Sequence, residues 1–199
     1  MERIILVRHG QTNKDAKGEI HAFGDDELLN EVGVKQIKKT AKRLKEFHPI
    51  KIYCSKNRRA LQSGKIIAET LGIREETIDG MEERNWGDFS GKKWGEVEQV
   101  LNKMTLEERY LYIPPNGESW EQFETRLISA IKDLLSKNEG RTFVVVAHGG
   151  AIRALMPYFL SASGDESFKH QPGLASITIF DYQNDKFTPV TMDDTSHLE

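Results

Sequence analysis

Three segments of the 199-residue chain place the same chemistry directly after a short apolar run. Val7 leads to Arg8-His9-Gly10, Cys54 to Ser55-Lys56-Asn57-Arg58-Arg59, and Ala147 to His148-Gly149-Gly150. Pooled, they supply two histidines, several arginines and several glycines. Guanidinium groups grip phosphate oxygens in bidentate fashion, and glycines let backbone N–H groups approach an anion, most effectively at the start of a helix. This is the inventory of a phosphate site. The sequence has no Gly-x-x-x-x-Gly-Lys-Ser/Thr loop, which argues against a nucleotide-binding loop. A neutral imidazole can itself attack phosphorus and carry the phosphoryl group on nitrogen, provided a general acid protonates the departing alkoxide. Met81 to Gly91 offers Glu82 and Glu83 in an aromatic, glycine-punctuated loop. Partial burial there would keep a carboxyl protonated, and spacing leaves both glutamates open.

To act together these groups must lie at the carboxyl ends of neighbouring parallel strands, where α/β sheets bind ligands. Ile4 to Val7, Lys51 to Cys54, Thr142 to Ala147 and Ser176 to Phe180 read as strands. Helical spacing marks Val34, Ile37, Ala41 and Leu44, and again Trp120, Phe123, Leu127, Ile131 and Leu134, with Ser119 to Gln122 as a capping box. Asn57 to Leu71, stopped by Gly72, and Ile152 to Leu160, bent or started near Pro157, are further helices. The alternation predicts an α/β fold, a three-layer α/β/α sandwich with a mostly parallel central sheet, with residues 1–199 as one domain. Asp15 to Asn30 and Met104 to Asn116 are the least periodic stretches and are candidate lids. Tyr110 or Tyr112 is expected to reach the site from the second, whereas His21, in the first, reads first as a structural or solvated histidine and only second as a lid residue. His48, His170 and His197 read as structural or solvated, and Trp86, Trp94 and Trp120 as core.

Composition excludes several classes. The chain is 38% hydrophobic and 30% charged, within the globular range. A net charge of −3, with lysines scattered among acids, gives no global attraction to nucleic acid or an anionic membrane. Its apolar runs fall well short of the roughly 20 residues of a membrane span, and four apolar residues before Arg8 are too few for a secretory leader. A cytoplasmic protein is expected. The single cysteine, Cys54, reads as buried filler. Two histidines and a glutamate could bind zinc, but there is no His-Glu-x-x-His spacing and flanking arginines would oppose a cation, so no metal is expected. Oligomeric state leaves no mark in the sequence.

Leu6-Val7-Arg8-His9-Gly10-Gln11-Thr12 resembles the Arg-His-Gly signature of the histidine phosphatase superfamily, the phosphoglycerate mutase-like proteins. Four further elements follow in the family's order. Leu29 to Gly33 is similar to its Leu-Thr-Glu-x-Gly helix entry, and Ser55 to Ser63 to its Ser-Pro-Leu-x-Arg-Ala-x-Gln-Thr segment. Glu83 to Gly91 is similar to its Glu-x-x-x-Gly-x-x-x-Gly loop, and Ala147 to Gly150 to its second-histidine segment. Gly117-Glu118-Ser119 with Arg126 matches another recurrent element. The resemblance implies a phosphoglycerate mutase-like fold with His9 phosphorylated and Glu83, not Glu82, as acid and then base. It implies that Arg8, Arg59 (not Arg58) and His148 hold the phosphoryl oxygens, with Gly149, Gln11 and Asn13 as further phosphate-side candidates. His9 should then donate from its other ring nitrogen to a backbone carbonyl, and His148 should act as a proton-bearing donor. Asp15 stands where the family often has asparagine, and must face away from the phosphate unless it is to repel it. Lys56-Asn57 replaces Pro-Leu. No cofactor is implied, and the expected partner is a small phosphorylated metabolite such as a sugar phosphate, phosphoglycerate, nucleoside monophosphate or cobalamin-precursor phosphate. Asp88-Phe89-Ser90 and the short chain favour a phosphatase, with a phosphoglycerate mutase or a catalytically inactive phosphate-binding module as alternatives.

Overall fold

The computed structural model describes residues 1–22 and 24–199. In chain order its elements are β1 (Glu2–Arg8), α1 (Asn13–Lys17), α2 (Glu31–Leu44), β2 (Lys51–Ser55), α3 (Arg58–Leu71), β3 (Glu75–Ile78), α4 (Trp94–Leu101), α5 (Leu106–Leu111), α6 (Trp120–Lys137), β4 (Thr142–Ala147), α7 (Gly149–Leu160), β5 (Ile177–Gln183) and β6 (Lys186–Asp194), joined by loops and short 3₁₀ turns.

Continuous apolar runs suit strands buried on both faces, and the two with the longest such runs, β1 and β4, pair in parallel at the centre of the sheet. The strand order is β3-β2-β4-β1-β5-β6, in which only the β1–β5 and β5–β6 pairs are antiparallel. Alternation divides the side chains cleanly. Ile4, Leu6, Phe143 and Val145 enter the core beneath α6 and α7, where Phe123, Leu127, Ile131, Leu155 and Phe159 meet them. Ile5, Val7, Val144 and Val146 enter the opposite core with Ile37, Ala41 and Leu44 of α2 and Ile67 of α3. The three-layer, mostly parallel sandwich is therefore present.

The helix entry at Ser119 is the expected capping box, with Ser119 Oγ accepting from Gln122 N at 3.0 Å and Gln122 Oε1 from Ser119 N at 2.9 Å. Pro157 lies inside α7 rather than at its start. Within the expected irregular segments the chain forms α1 and α5, and α4 lies between them. Ile20, Trp86, Val97 and Leu101 make a third, small core there. Backbone bonds from Ile20 N to Lys92 O, Gly91 N to Ile20 O and Trp94 N to Gly18 O zip the first lid candidate to the 84–94 loop.

The loop after β1 rests directly on α2. Gln11 N donates to Gln36 Oε1 at 3.0 Å, Asn30 N to Gln11 O at 2.9 Å, and Asn30 Oδ1 caps Gly33 N at 2.9 Å. A methyl group on Gly33 would overlap the Gln11 carbonyl. Alanine normally gains up to about 1 kcal/mol over glycine in a helix, but here overpacking wins. Gly33→Ala is expected to cost about 1–3 kcal/mol, a fall of roughly 2–10 °C in Tm for a chain this size. Equilibrium denaturation checks this, and a neutral or stabilising result would contradict the close approach.

Candidate active site

Because β1, β2 and β4 are parallel, their carboxyl ends share one edge, with Arg8 abreast of Ala147 and Cys54 abreast of Val146. The next residues converge there. His9 is 2% exposed and His148 fully buried, and their ring centroids are 5.2 Å apart. His9 Nδ1 lies 2.8 Å from Gly10 O, and Arg59 Nε lies 3.3 Å from His9 Nε2. A carbonyl only accepts and a guanidinium only donates, so the ring proton sits on Nδ1 and Nε2 is a bare lone pair. Burial, reinforced by the Arg59 charge, holds His9 well below the ordinary histidine pKa, with Asp15 only partly opposing. The same two causes depress His148, whose Nε2 is 2.8 Å from Ser55 Oγ and whose Nδ1 is buried without a partner.

Arg59 lies in the first turn of α3, is 1% exposed, and makes no ion pair among the described residues, whereas Arg58 faces solvent. Arg8 is steadied by Nη1 donating to Pro172 O at 2.8 Å and Nη2 lying 3.4 Å from Asp15 Oδ1. Arg59 Nη1 and Arg8 Nε are buried donors without a partner. Gly149 opens α7 against Arg8, and a side chain on it would come within 3.2 Å of the guanidinium.

Glu83 approaches from a separate loop. Its Oε2 accepts from Gly150 N and its Oε1 from Arg84 N, each at 2.9 Å. A Cβ on Gly150 would overlap this carboxyl group. Glu82 turns elsewhere, with Oε2 accepting from Gly80 N at 3.0 Å. The loop is clamped by α6. Arg126 donates to the carbonyls of Gly80, Glu82 and Glu83 and to Glu118 Oε1, while Glu118 Oε1 also accepts from Asn85 N at 2.7 Å.

Asp15 does not turn away from the site. It lies on the Nδ1 side of His9, 4.0 Å away, and accepts from Thr12 N and Oγ1. Burial raises its pKa, but His21 3.7 Å away, the Arg8 charge and the Thr12 N–H together hold it well below the carboxylate range. Its charge thus sits behind the His9 ring rather than beside Nε2. His21 departs from its structural reading. It lines the cavity in front of the site, edge-on to His9 at 6.0 Å, with Asp25 and Glu27 behind it and Lys14 paired to Asp25.

Gln11 and Asn13 fall outside that cavity among the described residues. Gln11 Oε1 accepts from Asn30 Nδ2 at 3.0 Å, and Asn13 is exposed at the start of α1. The tyrosine expectation is corrected as well. The Tyr110 hydroxyl donates to Glu124, and Tyr112 packs beside Phe89, so the second lid segment delivers Arg109 to the cavity instead. Trp86 and Trp120 are both core and cavity wall, whereas Trp94, read as core, is exposed and only lines the cavity. Cys54 is buried filler as read, with its thiol pushed up to about 12 by burial.

The cavity holds about 320 Å³ between Arg8 and Glu83 on one side and Trp86, Trp94, Trp120, Arg109, Arg153 and Phe168 on the other. Residues 4–195 match the histidine phosphatase superfamily (branch 1). The chain belongs to that superfamily. It is 32% identical to a metal-independent phosphoserine phosphatase of Arabidopsis thaliana over 98% of this chain and 82% of that protein. It is also 32% identical to the same plant's phosphoglycerate mutase-like protein 4, over 98% and 86%. A mutant phosphoserine phosphatase from Entamoeba histolytica, solved in complex with phosphoserine, superposes over all of both chains with a TM-score of 0.89 at 27% identity.

In this histidine phosphatase superfamily member, sequence reasoning missed Arg84, Arg109, Arg153 and the wall role of the tryptophans. Only Arg153 carried a usable signal, since it follows Gly150 by three residues on the same helix and so shares its face. Depressed histidines also set a pH dependence. Below about pH 6.5 the unfolded chain takes up protons that buried His9 and His148 refuse, so stability falls as pH drops from that value toward their folded pKa values. Denaturant melts from pH 8 to 5 should show this decline, and His148→Gln should make it shallower. Equal slopes in the two proteins would contradict the burial argument.

Proposed function

We propose that this protein is a metal-independent phosphatase that hydrolyses small phosphate monoesters through a phosphohistidine on His9. The observation that carries the reading is the fixed tautomer of His9, with Nδ1–H held by Gly10 O and Nε2 left as a lone pair beside the Arg59 guanidinium. The Nε2 lone pair attacks phosphorus and forms the N–P bond. As the ester P–O bond breaks, its electron pair goes to the leaving oxygen, which takes a proton from Glu83. Water then attacks phosphorus and gives a proton to the Glu83 carboxylate, and the N–P bond breaks with its pair returning to Nε2. Each Glu83 oxygen spends one lone pair on a backbone N–H and keeps another for the proton.

Charge gathers on the equatorial phosphoryl oxygens, where Arg8 and Arg59 supply preorganised cations. His148 Nε2 lies 2.8 Å from Ser55 Oγ, which leaves Nδ1, buried without a partner among the described residues, as the ring atom free to meet the same oxygens. Water as acceptor is favoured over the product's other hydroxyl because the likeness along nearly the whole chain includes relatives named as phosphoserine phosphatases. The mutase-like relative keeps phosphoryl return as the second reading.

Phosphate release from p-nitrophenyl phosphate, phosphoserine and 3-phosphoglycerate should persist in EDTA, and His9→Ala should lower kcat by about 10³-fold or more. Glu83→Gln is expected to cost about 10²–10⁴-fold on alkyl esters and less on the nitrophenyl ester, whose leaving group needs little protonation. Isomerised phosphoglycerate without free phosphate would replace the phosphatase reading by the mutase one. Turnover indifferent to His9 would end both.

A further inference from the structure

The first lid segment gathers a set of ligating groups that the phosphoryl chemistry does not use. His21 Nδ1 lies 3.4 Å from Glu27 Oε2 and 3.6 Å from Asp25 Oδ2, and one ligand atom from each of the three residues lies within 4.8 Å of the other two. The side chains of His21 and Asp25 are each 9% exposed and that of Glu27 18%. The remaining polar atom of each is tied to the scaffold. Asp25 Oδ1 accepts from Glu27 N at 2.8 Å, and Glu27 Oε1 from Lys14 N at 3.1 Å. Thr12 Oγ1 gives its proton to Asp15 Oδ2 at 2.8 Å, so toward His21 Nε2, 3.2 Å away, it can only accept. In the neutral ring Nδ1 is therefore a lone pair. That atom and Glu27 Oε2 are buried without a hydrogen-bond partner among the described residues, and buried polar atoms are costly unless something pairs with them.

Two ligand atoms held about 2.0–2.2 Å from one tetrahedral ion stand roughly 3.3–3.6 Å apart, which is the separation that His21 Nδ1 keeps from both carboxylates. The same separations are too long for hydrogen bonds from an imidazolium. We infer that His21 Nδ1, Asp25 and Glu27 form a binding site for a divalent transition-metal ion of the zinc class. One imidazole nitrogen with two carboxylates suits zinc or cobalt, whereas magnesium and calcium prefer oxygen alone. A metal-ligating histidine has its other ring nitrogen held by a neighbouring polar group, as Thr12 holds Nε2 here, with Asp15 Oδ1 at 3.7 Å. One cation competes for the site. Lys14 Nζ pairs with Asp25 Oδ2 and must swing away, toward the solvent that its 29% exposed side chain already meets. The ion sits on the ring nitrogen of His21 that faces away from Thr12 and Asp15, so no step at His9 Nε2 passes through it and the hydrolysis expected in EDTA stands. Its effect is to pin the segment that walls the cavity at His21.

Calorimetry and visible spectra of the chelator-stripped full chain test this with the metals alone. Zn²⁺ should bind one per chain and raise Tm. Co²⁺ should compete with it and show the visible d–d bands of a low-symmetry site, and Mg²⁺ should bind at least about 10-fold more weakly. Glu27→Gln should weaken Zn²⁺ binding by at least about 10-fold and abolish the rise in Tm. Lys14→Met, which removes the competing ammonium, should tighten binding, a gain that misfolding cannot imitate. His9→Ala should bind Zn²⁺ as the wild type does. The assignment is overturned by the absence of saturable Zn²⁺ binding, by Mg²⁺ binding as tightly as Zn²⁺, or by an affinity unchanged in either Glu27→Gln or Lys14→Met. Binding lost in His9→Ala would overturn it too, by placing the ion among the phosphoryl-site histidines. Loss of His9-dependent hydrolysis of p-nitrophenyl phosphate would instead count against the phosphatase reading alone.

Discussion

A guanidinium buried to within 1% of full occlusion, with no carboxylate paired to it among the described residues, is the constraint around which this molecule is arranged. Arg59 donates to the bare nitrogen of His9 at 3.3 Å, which is a weak recompense for burying a charge at a cost of several kcal/mol. Burial lowers its pKa, and more distant acids, Glu83 and Asp15 first among them, only partly counter the effect. The same charge reinforces the burial that depresses both histidines. An anion arriving between Arg59, Arg8 and His148 would satisfy donors that the fold leaves exposed to nothing else, so the instability of the isolated site and its affinity for phosphoryl oxygens have one origin. Ser63 ties this arginine to the nucleophile loop, donating to Arg59 O at 2.7 Å and accepting from Gly10 N at 3.3 Å.

The acid is placed by a different device. Glu83 has no strand behind it, and its loop takes its shape from Glu118 and Arg126 at the start of α6. Arg126 gathers the carbonyls of Gly80, Glu82 and Glu83 while Glu118 receives Asn85 N, so the backbone polar groups of an irregular segment find partners as a set. Arg84 extends the clamp. It donates to Tyr112 O and Glu118 O and lies 4.3 Å over Trp86, with its pKa lowered to about 10 by burial. Gly87, at φ +51°, lies so close to Pro115 O that any side chain would force the loop away from this clamp. Networks of this kind hold geometry only when every member is satisfied, which explains why a loop can serve where a strand end would otherwise be needed.

How much of this the sequence disclosed follows from burial. Ile4 to Val7 and Phe143 to Ala147 were legible because strands buried on both faces must be apolar throughout. Glu75 to Ile78 and Lys186 to Asp194 are edge strands with largely exposed side chains, and Pro189 interrupts the second, so neither carried a strand pattern. α4 and α5 are 8 and 6 residues long, too short for helical period to stand out. At the site, His9, Arg59, Glu83 and His148 were legible as types in order, and the geometry brings them together. Asp15 meets the condition set for it by facing the Nδ1 side of His9, a detail of ring orientation that spacing does not carry. Tyr110 turns instead to the main core and Glu124 of α6, and Tyr112 to the small core with Phe89, leaving the neighbouring Arg109 to face the cavity.

The division of labour between the two ends of the site comes down to a single helix. α7 begins directly after His148, which caps it. Gly150 N then orients the Glu83 carboxyl, and Arg153 stands three residues further on, about 4.5 Å along the axis. His148, the Glu83 carboxyl and Arg153 are therefore registered by one rigid element, whose glycines must lack side chains because Arg8 and Glu83 occupy that space. This makes the spacing among these three groups a property of helical rise rather than of loop conformation. The lid segments can then vary the cavity wall without disturbing that spacing.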